Sequence, residues 1–153
     1  MNSSGKPQLT FRPLEIGDLE AISLVHRRAC LIAYRFMNWS YSQEDVEAWY
    51  SPKFAEWTWT LAAFDADASM AGFIALTNQH VNQLYVDPSH QRSGIGSALL
   101  DRALNSTPGP TTLHVFEANL SARAFYEKHG FRERDRWMNA EEGAIDLLYV
   151  QEG

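Results

Sequence analysis

One stretch, residues 84–100, constrains the possible folds of this chain more than any other. It begins with a short β-branched and aromatic run that ends at Asp87-Pro88, passes through a polar turn, and continues with apolar residues at helical spacing. Gly94 and Gly96 stand at the start of the helical pattern. A helix start carries unpaired N–H groups and a partial positive charge, and glycine leaves those groups accessible. The strand, loop and helix therefore predict a phosphate-binding site.

Length and composition indicate one globular domain with a full core. The chain has 153 residues, of which 45% are hydrophobic and 21% are charged, values ordinary for a soluble protein. Its net charge of −6 argues against nucleic acid or an anionic membrane as the main partner. No apolar run approaches the length of a membrane span, and residues 1–7 lack a signal pattern. We therefore expect a cytoplasmic protein with a disordered tail at 1–7 and a single domain at 8–153.

The cysteine content limits the chemistry further. Cys30 is the single cysteine, which excludes an internal disulfide and a cysteine-based metal cluster. It lies within an apolar helical pattern, so we expect a small buried hydrophobic residue there. We expect no metal site.

Hydrophobic periodicity and turn signals predict an α/β protein whose strands form a mixed sheet. Asp18 is the expected N-cap of the first helix, and Ser42 with Asp45 resembles a capping box before the second. Gly130 is expected to end the last helix. Strands are predicted at residues 8–13, 57–64, 70–77, 80–86, 111–116, 131–138 and 144–150, and helices at 19–32, 43–50, 95–104 and 119–129.

Two motifs at a characteristic separation make the first stretch more specific. Residues 91–96 read Gln-Arg-Ser-Gly-Ile-Gly, and residues 119–131 read Asn-Leu-Ser-Ala-Arg-Ala-Phe-Tyr-Glu-Lys-His-Gly-Phe. Together they resemble the GNAT superfamily of N-acetyltransferases, in which an Asn-x-x-Ala-x-x-Phe/Leu-Tyr-x-x-x-Gly-Phe segment follows a Gln/Arg-x-x-Gly-x-Gly/Ala loop. The resemblance, sharpest over residues 80–131, implies the GNAT-like acyl-CoA N-acyltransferase fold, a central mixed sheet flanked by helices on both faces. A Rossmann or P-loop interpretation is disfavoured because no lysine follows the glycines and the strand order is wrong.

The resemblance implies acetyl-CoA as the cofactor. The N–H groups of residues 91–97 would hold its diphosphate, and the free edge of residues 84–86 would pair with its pantetheine arm. The strands at 80–86 and 111–116 would diverge to admit it. Arg92 could reach the diphosphate with its side chain or remain solvated. The expected cofactor-binding residues are Leu84, Tyr85, Val86, Gln91, Arg92, Ser93, Gly94, Ile95, Gly96, Ser97, Asn119, Ala122 and Tyr126.

Acetyl transfer to an amine requires a neutral nucleophile, a polarised thioester carbonyl and a proton for the leaving thiolate. A backbone N–H in residues 84–86 could polarise the carbonyl. The family motif implies that Tyr126 is the general acid, although a tyrosine beside Phe125 would otherwise be a core residue. Asn119 is expected to hold the pantetheine arm, to cap the following helix, or to do both.

The general base stays open at this stage. The resemblance leads us to expect a glutamate near the start of the central strand, but His80 and Asn82 occupy the matching positions. Period-two spacing predicts that both share a face with Leu84 and Val86. His80 can accept a proton near neutral pH, whereas Asn82 cannot. Glu117 is the competitor, which could instead bind a cationic amine, and an ordered water is a third candidate.

Six aromatic residues crowd the segment between the first strand and the predicted hairpin. In GNAT-like folds this segment lines the acceptor pocket, so they could bind an aromatic or cationic acceptor. They could equally belong to the core, which is what we expect for Trp49. The six are Tyr34, Phe36, Trp39, Tyr41, Trp49 and Tyr50.

The leading hypothesis is therefore an acetyl-CoA-dependent N-acetyltransferase that acts on a primary amine of a small molecule or a peptide. The alternative is a non-catalytic acyl-CoA sensor of the same fold, which the missing strand glutamate favours and the pair Asn119 and Tyr126 disfavours. A structural or interaction domain would bind no acetyl-CoA. A homodimer is possible, because the closing strand pair at 131–150 could be internal or shared between subunits.

Overall fold

The computed structural model describes residues 8–35 and 39–153. The expected disordered tail at 1–7 lies outside them. The helices of the described part are α1 (Leu19–Ala33), α2 (Gln43–Tyr50), α3 (Ile95–Ser106) and α4 (Leu120–Lys128). Its strands are β1 (Thr10–Arg12), β2 (Trp59–Phe64), β3 (Met70–Thr77), β4 (His80–Val86), β5 (Thr111–Phe116), β6 (Arg132–Asn139) and β7 (Ala144–Gln151).

All seven strands belong to one mixed sheet in the order β1-β2-β3-β4-β5-β7-β6. The β4–β5 pair is parallel, and α3 makes the crossover between these strands. The other neighbouring pairs are antiparallel. The predicted mixed sheet is thereby confirmed, and its order differs from that of a doubly wound nucleotide-binding sheet. The closing pair is internal, because β7 lies between β5 and β6 of the same chain.

Helices cover the sheet on both faces, as predicted. Helices α1 and α2 pack on one face, where Tyr50 and Phe73 are fully buried, and α3 packs on the other around Leu99 and Ile74. The α1 and α2 side buries Ile22, Val25, Val46, Tyr50, Ala62, Met70 and Phe73. No helix in the described part of the chain is both long and apolar enough to cross a bilayer.

Two predicted helix signals are confirmed in atomic detail. The Ser42 hydroxyl accepts the N–H of Asp45 at 3.0 Å, and the Asp45 carboxylate accepts the N–H of Ser42 at 3.0 Å, which makes a full capping box before α2. Gly130 adopts φ +91° just after α4, and the N–H of Phe131 returns to the Tyr126 carbonyl at 3.0 Å. This left-handed turn requires glycine and ends the helix.

One prediction about a single residue is confirmed in position only, and another is wrong. Asp18 is the N-cap residue of α1, but its carboxylate accepts no N–H of that helix; it accepts the N–H of Glu15 at 2.8 Å and two bonds from Arg12 at 2.9 Å. Trp49 is 47% exposed rather than buried in the core. The buried stripe of α2 is Val46 with Tyr50, four residues apart, and Trp49 lies beside it. Cys30, by contrast, is buried as predicted.

A β-bulge in β4 overturns the predicted alternation along that strand. Ala75 of β3 pairs with Gln83, but the next residue of β3 pairs with Val81, so Asn82 is an extra residue. Val81 consequently joins Leu84 in the core on the α3 side. Strict period-two spacing predicted that His80 shares the face of Leu84. Because His80 is adjacent to Val81, it lies on the opposite face instead, and this prediction is wrong.

Gly72 tests how closely α3 packs on the sheet. A Cβ added there would lie 2.9 Å from the carbonyl oxygen of Tyr85 and 3.3 Å from Cγ2 of Ile95. We expect Gly72→Ala to lower the free energy of unfolding by about 1–3 kcal/mol, the usual cost of overpacking. Urea denaturation measures this change.

Gly17→Ala is the matched control, because nothing lies within 4 Å of its added Cβ. We expect a change within about 0.5 kcal/mol for this exposed substitution. Equal effects of the two substitutions would contradict the packing of α3 described above.

Candidate active site

The parallel strands β4 and β5 separate soon after they meet. They pair at His80 with Thr112 and at Val81 with Leu113, and no further pair follows. Each strand stays paired on its other side, β4 with β3 and β5 with β7. The gap opens into a cleft of about 870 Å³. The predicted divergence is present, and the β4 edge from residue 82 onward faces the cleft without a strand partner.

The first turn of α3 forms one end of the cleft. Gly94 stands before the helix at φ +83°, and the helical bonds begin with the N–H of Ala98 to the Gly94 carbonyl at 3.0 Å. The N–H groups of the three preceding residues, 95–97, therefore stand at the positive end of the helix, where anions bind. Arg92 in the preceding loop also adopts a positive φ, +65°. Of the predicted loop residues, the cleft is lined by Gln91, Arg92, Gly94, Ile95, Gly96 and Ser97.

Ser93 is the predicted loop residue that does not line the cleft. Its hydroxyl donates to the His90 carbonyl and so closes the loop from within. Asp87 fixes the start of the same loop, because its buried carboxylate accepts the N–H of Ser89 at 3.0 Å and Nε of Arg28 at 2.8 Å. These contacts hold the polar turn in place ahead of α3.

The charge of the cleft is opposite to that of the whole protein. Arg35, Arg92 and Lys128 line it, and no described lining residue is an aspartate or glutamate. The protein as a whole carries a net charge of −6. The acidic groups therefore lie outside the described lining of this cleft, which ends at a helix N-terminus. This arrangement suits a ligand with several negative charges.

The side of the cleft opposite β4 is formed by the start of α4. Asn119 lines the cleft and accepts the N–H of Ala122 on its side-chain oxygen at 3.1 Å, so it is the helix cap that the sequence predicted. Tyr126 lines the cleft about two turns beyond Asn119, and its ring packs on Phe131 with centroids 5.6 Å apart. Burial, together with the nearby Tyr34, raises the pKa of Tyr126. Its hydroxyl makes no hydrogen bond to any described residue.

His80 lies behind the cleft rather than in its lining. Its Nδ1 is 2.7 Å from the Thr112 hydroxyl, and its ring lies 4.9 Å from that of His114. His114, which the sequence analysis did not name, does line the cleft and contacts the ring of Trp137 at 5.2 Å. Partial burial, and secondarily the charge of His114, lowers the pKa of His80. The two imidazole rings therefore stand side by side at the neck of the cleft.

Glu117, the competing base candidate, points elsewhere. Its carboxylate binds Nη1 of Arg136 at 2.5 Å, and Arg136 also binds Glu133 at 2.8 Å. Glu117 does not line the cleft. The carboxylate is thus occupied by an ion pair with a side chain of β6, outside the lining of the cleft.

A buried imidazole connects the aromatic segment with the cleft. His26 Nδ1 lies 2.5 Å from the Tyr50 hydroxyl, which lies 3.3 Å from Oε1 of Gln83 in the cleft lining. The His26 ring is surrounded by Trp39, Trp49, Tyr50 and Tyr85 at centroid distances from 4.4 to 6.0 Å. Burial lowers the pKa of His26 to about 4. Tyr41, another aromatic residue of the predicted pocket segment, is exposed. Phe36, of the same segment, lies outside the described residues.

Sequence reasoning missed several polar residues of the lining, among them Gln83, His114 and Lys128. His114 occupies an outward position of an alternating strand, a signal that was available. Gln83 shares the face of Tyr85, which plain alternation also predicts, whereas no sequence pattern indicated the bulge at Asn82 that turns Val81 and His80. The remaining predicted lining residues, Leu84, Tyr85, Val86, Asn119, Ala122 and Tyr126, all border the cleft.

Comparison with known proteins gives a consistent result. The family model described as "Acetyltransferase (GNAT) domain" matches residues 37–146. The peptidyl-lysine N-acetyltransferase YjaB of Salmonella typhimurium is 34% identical over 119 residues, which cover 76% of this chain and 79% of the relative.

Two solved structures share the fold. The apo form of YjaB from Escherichia coli superposes with a TM-score of 0.78 at 24% identity, covering 95% of this chain and 99% of that one. The PaiA N-acetyltransferase of Thermoplasma acidophilum, solved in complex with coenzyme A, has a TM-score of 0.72 at 24% identity, with the same coverage of 95% and 99%.

The buried His26 makes a prediction about stability and pH. Its pKa falls from about 6.5 in an unfolded chain to about 4 in the folded protein, so below pH 6.5 the unfolded state binds the proton first. The contribution of His26 to the free energy of unfolding is fully present above pH 6.5, and about 3 kcal/mol of it is lost as the pH falls toward 4. We expect His26→Gln to remove that part of the acid destabilisation. Urea unfolding of both proteins between about pH 7 and 4 measures it; parallel curves would contradict a buried neutral His26.

Proposed function

Because the chain belongs to the GNAT family of acetyltransferases, we propose that it transfers the acetyl group of acetyl-CoA to a primary amine at the cleft between β4 and β5. The observation that carries this proposal is the combination of one splayed strand pair with a helix N-terminus at its end. The cleft provides an unpaired backbone edge, an anion-binding helix start and a buried hydroxyl, the three features that an acyl-CoA donor requires.

The residues present fit coenzyme A. The N–H groups of residues 95–97, with Arg92 and Lys128 nearby, would hold the diphosphate and the other phosphate group. The free β4 edge at Leu84–Val86 and the side chain of Asn119 would hold the pantetheine arm. The absence of carboxylates from the described lining supports this assignment, because an acidic group there would repel three phosphates.

When bound, acetyl-CoA supplies an acetyl thioester to the site. The free backbone N–H groups of β4 would polarise its carbonyl in the manner of an oxyanion hole. Tyr126 holds the proton that the departing sulfur requires. Since burial raises the pKa of Tyr126, its hydroxyl stays protonated at neutral pH and can act as an acid.

The incoming amine must lose a proton, and an imidazole is the acceptor that the geometry favours. Glu117 is held by Arg136, and no described carboxylate lines the cleft. His114 lines it, and the adjacent His80 has a lowered pKa, so the His80 ring is neutral at physiological pH and can accept a proton. We assign the base to the His80–His114 pair, acting directly or through a water.

A lysine side chain of a peptide is the acceptor that we propose to test first. The Salmonella relative carries the name peptidyl-lysine N-acetyltransferase. A single amine on an aliphatic chain needs no cluster of carboxylates, whereas the several charges of a free polyamine would find no carboxylate in the described lining of the cleft. The cleft thus favours an acceptor whose remaining charges stay outside.

Release of coenzyme A thiol over an amine panel tests the proposed function. The panel contains a lysine peptide, the same peptide acetylated on lysine, a peptide offering its N-terminal amine, and spermidine. We expect turnover with the lysine peptide and none with its acetylated form. Tyr126→Phe should lower kcat by roughly 10²-fold, the usual scale of general acid catalysis, with coenzyme A affinity unchanged.

The binding measurement separates the possible failures. A protein that binds coenzyme A but acetylates no amine would support the sensor module of the same fold. Unchanged kcat in Tyr126→Phe would remove Tyr126 from the mechanism. A lack of any binding would overturn the assignment of the cleft itself.

The pH dependence of kcat/KM tests the imidazole pair. The base is active when neutral, so the rate should rise with pH along an acidic limb that lies below about pH 6.5, since the pKa of His80 is lowered. His114→Gln should abolish this limb if His114 is the group at the amine. His80→Gln should abolish it instead if His80 accepts the proton.

Trp137→Phe is the control for this experiment. It keeps an aromatic ring beside His114 without altering a titratable group, so the limb should stay in place. Loss of the limb in His80→Gln alone would identify His80 as the base. A limb that stays in place in both histidine variants would exclude the pair.

A further inference from the structure

A serine, a histidine and an aspartate form a chain of contacts beside the diphosphate end of the cleft. The Ser97 hydroxyl lies 3.0 Å from Nε2 of His129, and Nδ1 of the same imidazole lies 3.3 Å from the Asp101 carboxylate. Ser97 belongs to the first turn of α3 and lines the cleft, whereas His129 is the residue that ends α4. None of the chemistry assigned above uses His129 or Asp101.

The sequence spacing and the packing both fix this contact chain. Ser97 and Asp101 are four residues apart on α3, so their side chains share one face of the helix. The His129 ring lies on that of Phe125 with centroids 4.8 Å apart, and the His129 side chain is 13% exposed. The imidazole is thereby held between the two α3 side chains.

The positions of the hydrogens in the contacts between Ser97, His129 and Asp101 follow from Asp101, the acceptor at the outer end. A carboxylate only accepts hydrogen bonds, so Asp101 favours the tautomer with hydrogen on Nδ1 and leaves Nε2 of the neutral ring as an acceptor. The Ser97 hydroxyl then donates its hydrogen to Nε2 and turns only lone pairs toward the cleft. Once His129 binds a second proton, Nε2 donates to the Ser97 oxygen, and the hydroxyl hydrogen becomes available to the cleft.

We propose that His129, held by Asp101, is a positioning residue that makes the Ser97 hydroxyl a hydrogen-bond donor to the diphosphate of coenzyme A. A phosphate oxygen accepts hydrogen bonds and cannot donate one, so it selects the protonated imidazole. One proton taken from solvent onto Nε2 of His129 accompanies binding. This inference rests on the proposed function, because it takes the first turn of α3 as the diphosphate site.

The charges around His129 are compatible with this coupling. Asp101 of α3 lies within ion-pair distance of its ring, and no other described carboxylate lies within 4.0 Å. Lys128 precedes His129 on α4 and lines the cleft. A bound diphosphate would add negative charge beside both residues and favour the protonated imidazole.

Calorimetric binding of dephospho-coenzyme A to the whole protein tests the proposal without any catalysis. This probe keeps the diphosphate, whose charge is constant near neutral pH, and lacks the phosphate monoester that titrates near pH 6. We expect its Kd to rise by about tenfold between about pH 5.5 and 8.5, the scale of one hydrogen bond to a charged group. Measurements in buffers of different ionisation enthalpy should show proton uptake near neutral pH.

Two variants isolate the contact chain. His129→Gln donates to the Ser97 oxygen at every pH, so we expect tight, pH-independent binding without proton uptake. Ser97→Ala should bind more weakly at low pH and should lose most of the pH dependence, because the hydroxyl hydrogen is no longer supplied to the diphosphate. In acetyl transfer, the same variants should alter KM for acetyl-CoA.

The possible outcomes distinguish a failure of the role proposed for His129 from a failure of the proposed function. A pH dependence that persists in both variants would overturn the role of His129, even if coenzyme A binds and amines are acetylated. A wild-type affinity that does not vary with pH would overturn it as well. A complete lack of binding in the wild-type protein would instead contradict the assignment of the cleft.

Discussion

The early loss of pairing between β4 and β5 is the constraint on which the rest of the structure depends. Two residue pairs join the strands, and the bulge at Asn82 follows immediately in β4. A bulge bends its strand and increases the local twist, so β4 leaves β5 while it stays hydrogen-bonded to β3. Strand β5 cannot follow, because six of its residues pair with β7. Because β4 stays paired with β3 and β5 with β7, the gap between β4 and β5 remains open. No other strand of the described part of the chain pairs with the backbone groups in this gap.

The same gap determines where charge can be placed. The end of the gap at the first turn of α3 is lined by the helix start and by the cationic side chains of Arg92 and Lys128. The acidic groups that give the chain its net charge of −6 lie elsewhere. Glu117 illustrates the separation, since it follows β5 yet pairs with Arg136 outside the cleft. Because the described lining of the cleft holds no carboxylate, the groups left for the proposed proton transfers are imidazoles and a tyrosine hydroxyl.

Much of the site was accessible from the sequence because its signals are local. The glycine loop, the Asn119 cap and the Gly130 stop depend on backbone conformations that only certain residues adopt, and each is read within a few positions. The mixed sheet and the helices on both faces followed from the family resemblance and the alternating elements. The use of a side chain was less accessible, as for Asp18, which stands at the N-cap position while its carboxylate binds Glu15 and Arg12 instead of α1.

The sequence by itself determined most of the elements and the phosphate-type helix start, because each is encoded by spacing within one segment, and the family resemblance supplied the candidates Tyr126 and Asn119. Only the tertiary structure decided which side chains meet across segments. The bulge moved His80 off the face of Leu84, packing brought His114 beside it, and the end of α4 placed His129 against Ser97. The physical reason is that a one-residue change of register reverses the facing of a strand, while contacts between distant segments depend on packing that no local pattern records.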